Sequence, residues 1–309
     1  MRYVESGDLR MSVIGLGTWQ FGSREWGYGA TYARDVAPAI VRRAIELGVT
    51  LIDTAEMYGF GSSERIVGQA IAGHREGIVV ATKLVPVLPF PSVVERQARG
   101  SLRRLGVTAI DLYQVHFPNP LVSARSTMAP LRSLVAHGLV RHVGVSNYSL
   151  RRWRASEQAL GHPILTNQVR FSLAAPLPRW ELVPYAREEG RAVIAYSPLG
   201  QGLLAGHHAP HDPAPADVRR RNRLFRPRAL AAAQPLLATL REVAAAHGAT
   251  SSQVALAWLI AHGNVVAIPG ASSITQLEEN VAAADLELSG VEMERLSTEA
   301  ARFEGARAG

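Results

Sequence analysis

The chain has 309 residues, 47% hydrophobic and 19% charged, enough to bury one large core or two small ones. It contains no cysteine, which excludes disulfides, thiolate nucleophiles and cysteine-ligated zinc and fits a cytoplasmic location. The net charge is +7, but the basic residues are mostly scattered singly over helical stretches and aromatics make up only 6%, which argues against a nucleic-acid-binding face.

The first residues, MRYVESGDLR, lack the apolar stretch of a signal peptide. RYVESGDLRMSV reads as a small hairpin turning at Gly7-Asp8. SVIGLGT is the first apolar strand; Gly15, Gly17 and Gly22 miss the G-x-G-x-x-G spacing of a dinucleotide-binding open sheet. APAIVRRAIELG (37–48) puts Ile40, Val41, Ala44 and Leu47 on one helical face and stops at Gly48. The strand TLIDT follows, then the helix SSERIVGQAIAG with Ser62 as N-cap and Glu64 in its first turn, then the strand IVVATK. The helix SVVERQARGSLRRLG leads to the strand IDLYQVHF. Helices are expected near 128–137, 149–159, 181–189 and 229–247, ahead of the strands RHVGVSN, ILTNQVRF, AVIAYSP and VVAIPG respectively. A last helical pair lies near 275–283 and 290–302. QVALAWLIAHGNVVAIPGA is broken by His262, Gly263, Asn264 and Pro269, so no membrane span is expected.

Eight apolar strands alternating with amphipathic helices imply a parallel sheet covered by helices, and at this length a closed (β/α)8 TIM barrel of the α/β class. No linker marks a boundary, so residues 1–309 are expected to form one domain: the barrel, a short N-terminal hairpin and extra C-terminal helices. Such a barrel gathers its active site at the C-terminal ends of its strands. Those ends carry Gly17-Thr18-Trp19, Asp53, Lys83, His116, Ser146-Asn147, Gln168, Tyr196-Ser197 and Pro269-Gly270. Asp53, Lys83 and His116 end consecutive strands, and Tyr58 follows in the loop after Asp53.

Lys83 is the only lysine in the chain; the other basic residues are arginines. Arginine stays charged, whereas a lysine ammonium is compact and its protonation can be tuned. Buried beside Asp53, it would lower the pKa of the Tyr58 phenol and make it a general acid near neutral pH. His116 would hydrogen-bond the same acceptor atom. Each residue alone fits a structural role; the four together at one barrel end point to chemistry. Other readings are weaker. GVSNY (144–148) departs from the G-x-S-x-G nucleophile motif at Tyr148, and HHAPH (207–211) has no accompanying carboxylate pattern for a metal site.

LIDTAEMYGFGSSERIVGQAI, ATK, DLYQVHFPNP, GVSNYS, TNQVRFS, AYSPLGQGLL and IPGASSITQLEEN resemble, in order, segments of the aldo-keto reductases, from about residue 10 to 285. DVRRRNRLF and SSQVALAWLIAHGNVVAIPG are most similar to the bacterial branches. The resemblance implies reversible NADPH-dependent reduction of an aldehyde or ketone, with hydride from nicotinamide C4 and a proton from Tyr58. Asp53 and Lys83 would tune Tyr58, and His116 would orient the carbonyl. Ser146, Asn147 and Gln168 would hold the nicotinamide carboxamide, Tyr196 would stack on the ring, and Gly17 and Thr18 would also contact the cofactor. Ser197, Pro198, Leu199, Gln201, Gly202 and Leu204 would wrap the pyrophosphate. Ile268, Gly270, Ser272, Gln276, Glu279 and Asn280 would enclose the adenosine end. Trp19 and Phe117 would wall the substrate pocket. No metal, membrane or nucleic-acid partner is implied. GASSITQLEEN lacks the cation that some members use for the 2′-phosphate, so NADPH is expected with NADH as the alternative, and Arg219 and its neighbours to 223 would supply the missing charge. Some relatives in the superfamily are cofactor-binding regulatory or redox-sensing subunits with vestigial catalysis; the four catalytic residue types argue here for a working enzyme.

Overall fold

The computed structural model describes residues 1–308 apart from 24, 25, 88, 89, 207, 211, 213 and 214. β1 (Tyr3–Ser6) and β2 (Leu9–Ser12) form the expected antiparallel hairpin. β3 (Leu16–Gly17) opens the barrel. A short α1 (Gly29–Thr31) runs through a π-helical turn, Tyr32–Val36, into α2 (Ala37–Glu46). There follow β4 (Leu51–Asp53), α3 (Ser62–Ile71), β5 (Val79–Leu84), α4 (Pro91–Leu105), β6 (Ile110–Val115), α5 (Ala124–Ala136) and β7 (Val140–Ser146). Next come α6 (Leu150–Leu160), β8 (Thr166–Arg170), α7 (Pro178–Glu188), β9 (Ala192–Tyr196), α8 (Pro227–Ala246), α9 (Ser251–Ile260) and β10 (Val265–Ala267). α10 (Ile274–Ala282) and α11 (Gly290–Ala308) end the chain.

β3 to β10 pair in chain order, each parallel to the next. A parallel bridge between Ile14 and Ala267 joins the last strand to the first, with Gly15 N–H donating to the Ala267 carbonyl at 2.8 Å and Ala267 N–H to the Val13 carbonyl at 2.9 Å. The sheet therefore closes into the expected (β/α)8 barrel. β5 and β6 are buried at every position, which is why their sequences run apolar without alternation. The hairpin packs Met11 and Val13 into the core, and its Ser6 hydroxyl donates to the Leu165 carbonyl. No described helix is long and apolar enough to cross a membrane.

The structure shifts several expected boundaries. α3 begins after Gly61, whose φ of 81° turns the chain into the helix, so Ser62 is not its N-cap. Ser63 instead turns its hydroxyl to Thr18 and Thr54. α5 starts four residues ahead of 128 because Ser123 caps it, accepting from Ser126 N–H. α9 was hidden. It is apolar all round and so carries no helical period, but Thr250 and Gln253 form a capping box at its start and Trp258 Nε1 donates to Ser297 Oγ on α11.

α3 and α4 approach very closely. A Cβ at Gly68 would lie 2.6 Å from the Leu105 carbonyl oxygen, a backbone atom that cannot move alone. Gly68→Ala is expected to lower stability by about 1–3 kcal/mol, the range for overpacking a filled contact, read as a lower urea midpoint at unchanged slope.

Candidate active site

β4 ends at Asp53 and β5 carries Lys83 one residue from its end, and the two strands are paired. Lys83 is fully buried. Its Nζ donates to Asp53 Oδ2 at 2.6 Å, to the Thr54 carbonyl at 2.8 Å and to Tyr58 Oη at 3.3 Å. Three directional acceptors suit an ammonium, not the planar fork of arginine, which accounts for a lysine at this position. The Tyr58 and His116 rings meet edge-on at 6.0 Å. The structure thus brings together all four residues expected to share a site.

The electrostatics correct one expectation. Burial pushes the Tyr58 phenol above its ordinary value; Lys83 opposes this and Asp53 adds to it. The ammonium lowers the phenol's pKa relative to what burial alone would give, but does not bring it below the ordinary value. Burial would by itself depress Lys83, yet Asp53 and Tyr58 outweigh it and hold the ammonium above its ordinary value. Burial, helped by Lys83, pushes His116 down to about 3. The site at neutral pH is therefore a protonated phenol, a protonated amine and a neutral imidazole.

With that geometry in place, comparison with known proteins is decisive. The aldo/keto reductase family pattern matches residues 13–299. The chain belongs to the aldo/keto reductase family. It is 54% identical over 303 residues to an uncharacterised oxidoreductase of Mycobacterium tuberculosis, covering 98% of this chain and 93% of that one. It is 34% identical over 292 residues to the methylglyoxal reductase YeaE of Escherichia coli, covering 94% and 92%. Among solved structures, an aldo/keto reductase from Klebsiella pneumoniae in complex with NADP and acetate superposes with a TM-score of 0.78 at 33% identity, covering 96% and 94%. As a member of the family the chain is an NAD(P)H-dependent oxidoreductase working in carbonyl reduction.

Around the four residues, this reductase carries a ring of strained and cross-tied groups. Among the described residues four non-glycines have positive φ: Phe60, Asn147, Ser197 and Gln201. Three of them are residues assigned above to the cofactor, and strain of this kind gathers at functional sites. Asn147 is fixed through Oδ1, which accepts from Tyr196 Oη at 3.0 Å, and through Nδ2, which donates to Ser146 Oγ at 3.1 Å. Gln201 Oε1 accepts from Asn222 Nδ2 at 2.8 Å. Arg219 faces this loop, its Nη1 3.8 Å from where a Cβ on Gly202 would sit, while it also pairs with Asp217 at 2.6 Å. Arg220, Arg221 and Arg223 are exposed. Arg219 is thus the arginine of the basic tract seen against the expected cofactor loop.

The segment expected to enclose the adenosine end is also tied. Ser273 caps α10, accepting from Gln276 N–H, and Gln276 Oε1 accepts from Ser272 N–H at 2.7 Å. Glu279 accepts from the Thr250 hydroxyl, and buried Asn280 donates to the Gly270 carbonyl at 3.3 Å. A Cβ on Gly17 would lie 2.7 Å from the Ile268 carbonyl oxygen, so Gly17 and Ile268 meet backbone to backbone where the barrel closes. Thr18 is buried, its hydroxyl bonded to the Asp53 carbonyl and to the Ser63 hydroxyl, and so braces the end of β4. Pro198, Leu199 and Leu204 follow Ser197 in the loop after β9, with Leu204 buried under it. Trp19 meets Trp26 edge-on at 5.1 Å, and Phe117 lies exposed beside His116 at 5.7 Å. Of the 207–211 histidines, His207 and His211 lie outside the described residues.

Glu56 and Gln114, which sequence reasoning passed over, support this set together with the expected Gln168. Glu56 Oε1 accepts from Val85 N–H at 2.8 Å and Gln97 Nε2 at 2.9 Å, tying the Tyr58 loop to the end of β5. Gln168 Nε2 donates to Asp53 Oδ1 at 2.6 Å, and Gln114 Nε2 to the same oxygen at 3.3 Å. Gln114 was findable: it lies two residues before His116, on the same side of the strand by pleat alternation.

The neutral state of His116 has a measurable cost. The unfolded imidazole takes up a proton below about pH 6.5, whereas the folded one stays neutral down to about 3. Unfolding therefore binds a proton in that window, and stability falls as pH drops, by up to about 1.4 kcal/mol per unit from this group. Urea titrations from pH 7 to 4 should show a shallower slope for His116→Gln than for the parent protein; equal slopes would mean the ring titrates alike folded and unfolded.

Proposed function

We propose that the chain catalyses reversible NADPH-dependent reduction of an aldehyde or ketone to an alcohol, with Tyr58 as proton donor. The observation that carries this is the contact of a buried ammonium with both Asp53, at 2.6 Å, and the Tyr58 hydroxyl, at 3.3 Å, at the C-terminal end of the barrel. The mouth fits a nicotinamide dinucleotide: residues 147, 197 and 201 take strained backbone conformations, 147 and 201 are held by side-chain bonds, and the capped start of α10 closes the adenosine end. When bound, the cofactor supplies the hydride.

The chain's own residues do the rest. A phenol whose pKa is raised keeps its proton through the physiological range, as a donor must. Lys83 stabilises the phenolate that remains after the proton has left, and Asp53 keeps Lys83 charged. Neutral His116 donates a hydrogen bond to the carbonyl oxygen and fixes its direction toward Tyr58. Asn147, Gln168 and Tyr196 hold the nicotinamide so that reacting atoms meet in line, which converts binding into orientation. Trp19 and Phe117 restrict the approach of the substrate. Arg219, beside Gly202, supplies cationic charge that the segment from 270 to 280 lacks. Its guanidinium favours a cofactor with an extra phosphate.

Tyr58→Phe and Lys83→Met should each reduce kcat at least about 100-fold, the scale of a positioned general acid, with cofactor affinity largely retained. Stopped assays across aldehydes, ketones and quinones, monitored by NADPH absorbance, give both numbers; full activity in Lys83→Met would end the reading. Arg219→Ala should weaken NADPH about tenfold and leave NADH nearly unchanged, the loss of roughly one charge-assisted contact. Equal losses for both cofactors would remove Arg219 from phosphate recognition.

A further inference from the structure

Gln114 sits on β6 opposite Lys83 in the parallel register and is fully buried. Its Nε2 reaches Asp53 Oδ1, the oxygen that Lys83 does not use, and shares it with Gln168. Its Oε1 is buried with no hydrogen-bond partner among the described residues. An orphaned buried carbonyl is a liability for the fold, and an apolar side chain of equal volume would avoid it. Room for the amide is kept by Gly144 on the neighbouring strand, where a Cβ would stand 2.9 Å from Gln114 Cγ and 2.4 Å from Thr166 Oγ1. Stability alone therefore does not account for glutamine here.

We infer that Gln114 is a positioning residue for the Asp53–Lys83 pair, acting through Asp53 and never touching substrate. The inference rests on the reading of Tyr58 as proton donor. Oδ1 has two amide donors. If Gln168 turns its amide to the nicotinamide, Gln114 is the donor that remains. It takes up part of the carboxylate's charge, so that Asp53 neither draws Lys83 away from Tyr58 nor weakens the phenol as an acid. Losing it strengthens the influence of Asp53 on both groups, and both effects move the same way: the phenol holds its proton more tightly.

Gln114→Met keeps the volume and removes both the donor and the orphaned carbonyl. Its thermal midpoint should be equal to or above the parent's. Its kcat should fall about tenfold with KM for carbonyl unchanged, and the alkaline limb of its kcat profile should move to higher pH. A structural role predicts the reverse pattern, a lower midpoint and an unmoved kcat. Gln114→Glu offers a second test: its carboxyl can donate to Asp53 only while protonated, so its activity relative to the parent should decline as pH rises. A kcat for Gln114→Met within twofold of the parent, an unmoved alkaline limb, or a flat Gln114→Glu ratio overturns the inference. If Tyr58→Phe and Lys83→Met are inactive while Gln114→Met is normal, the inference alone fails; if those two are active, the reading beneath it fails.

Discussion

The structure is organised around one buried ion pair. Taking an ammonium and a carboxylate out of water costs several kcal/mol per ion, and their attraction repays this only when the remaining valences are satisfied. Lys83 and Asp53 meet that condition with partners from the loop after β4 and from β8: the Thr54 carbonyl and Tyr58 hydroxyl accept from the ammonium and the Gln168 amide donates to the carboxylate, with Gln114 on β6 a longer, second donor to the same oxygen. A slip of any one of β4, β5, β6 or β8 by one residue would reverse its pleat and withdraw its partner. The barrel's registers are thus tied to its chemistry, and closure through Ile14 and Ala267 is what keeps them.

The same burial sets the acid strength of the phenol. A solvated tyrosine beside a lysine would be more acidic than usual, the simple expectation from charge. Here desolvation outweighs the neighbouring ammonium. The two effects serve different stages of a proton transfer. Desolvation keeps the proton on oxygen until an acceptor arrives; the ammonium, already in contact, stabilises the anion once the proton has gone. Neutral His116 fits the same logic, since an imidazolium beside the Lys83 ammonium would add an unpaired, like charge to a dry pocket.

Most of this was legible in the sequence where one physical signal dominated. Buried parallel strands read as unbroken apolar runs, and a polar residue closing each run marks the catalytic end, so Asp53, Lys83 and His116 could be placed from order alone. The solitary lysine was legible because every other basic residue is arginine. What stayed hidden lacked a local signature. α9 is buried on all sides, so the period that exposes an amphipathic helix is absent, and only its Thr250–Gln253 capping box betrays it. The turn into α3 depends on the left-handed Gly61 rather than the serines after it, because Ser63 is used across the barrel mouth. Gln114 looks like one polar residue in an apolar strand, and its reason lies on a strand 61 positions away in sequence.

The cofactor side follows a different principle from the catalytic pair. Burial and register hold Asp53 and Lys83; side-chain bonds from Tyr196 and Asn222 hold Asn147 and Gln201 in left-handed backbone, which Ser197 also adopts. Such conformations cost about 1–3 kcal/mol each and persist only where surroundings over-determine them. Tyr196 does so for Asn147 and Asn222 does so for Gln201. Asn222 belongs to the same tract as Arg219, so the bond that fixes the loop after β9 also carries the guanidinium to it. The cation is therefore placed by a loop rather than by α10, whose first turn is closed by its own Ser273 and Gln276. A charge on a loop can withdraw with the loop, whereas a charge on α10 would stay. On the proposed reading, burial at the strand ends fixes the proton donor, and the loop that carries Arg219 bears on which dinucleotide is held.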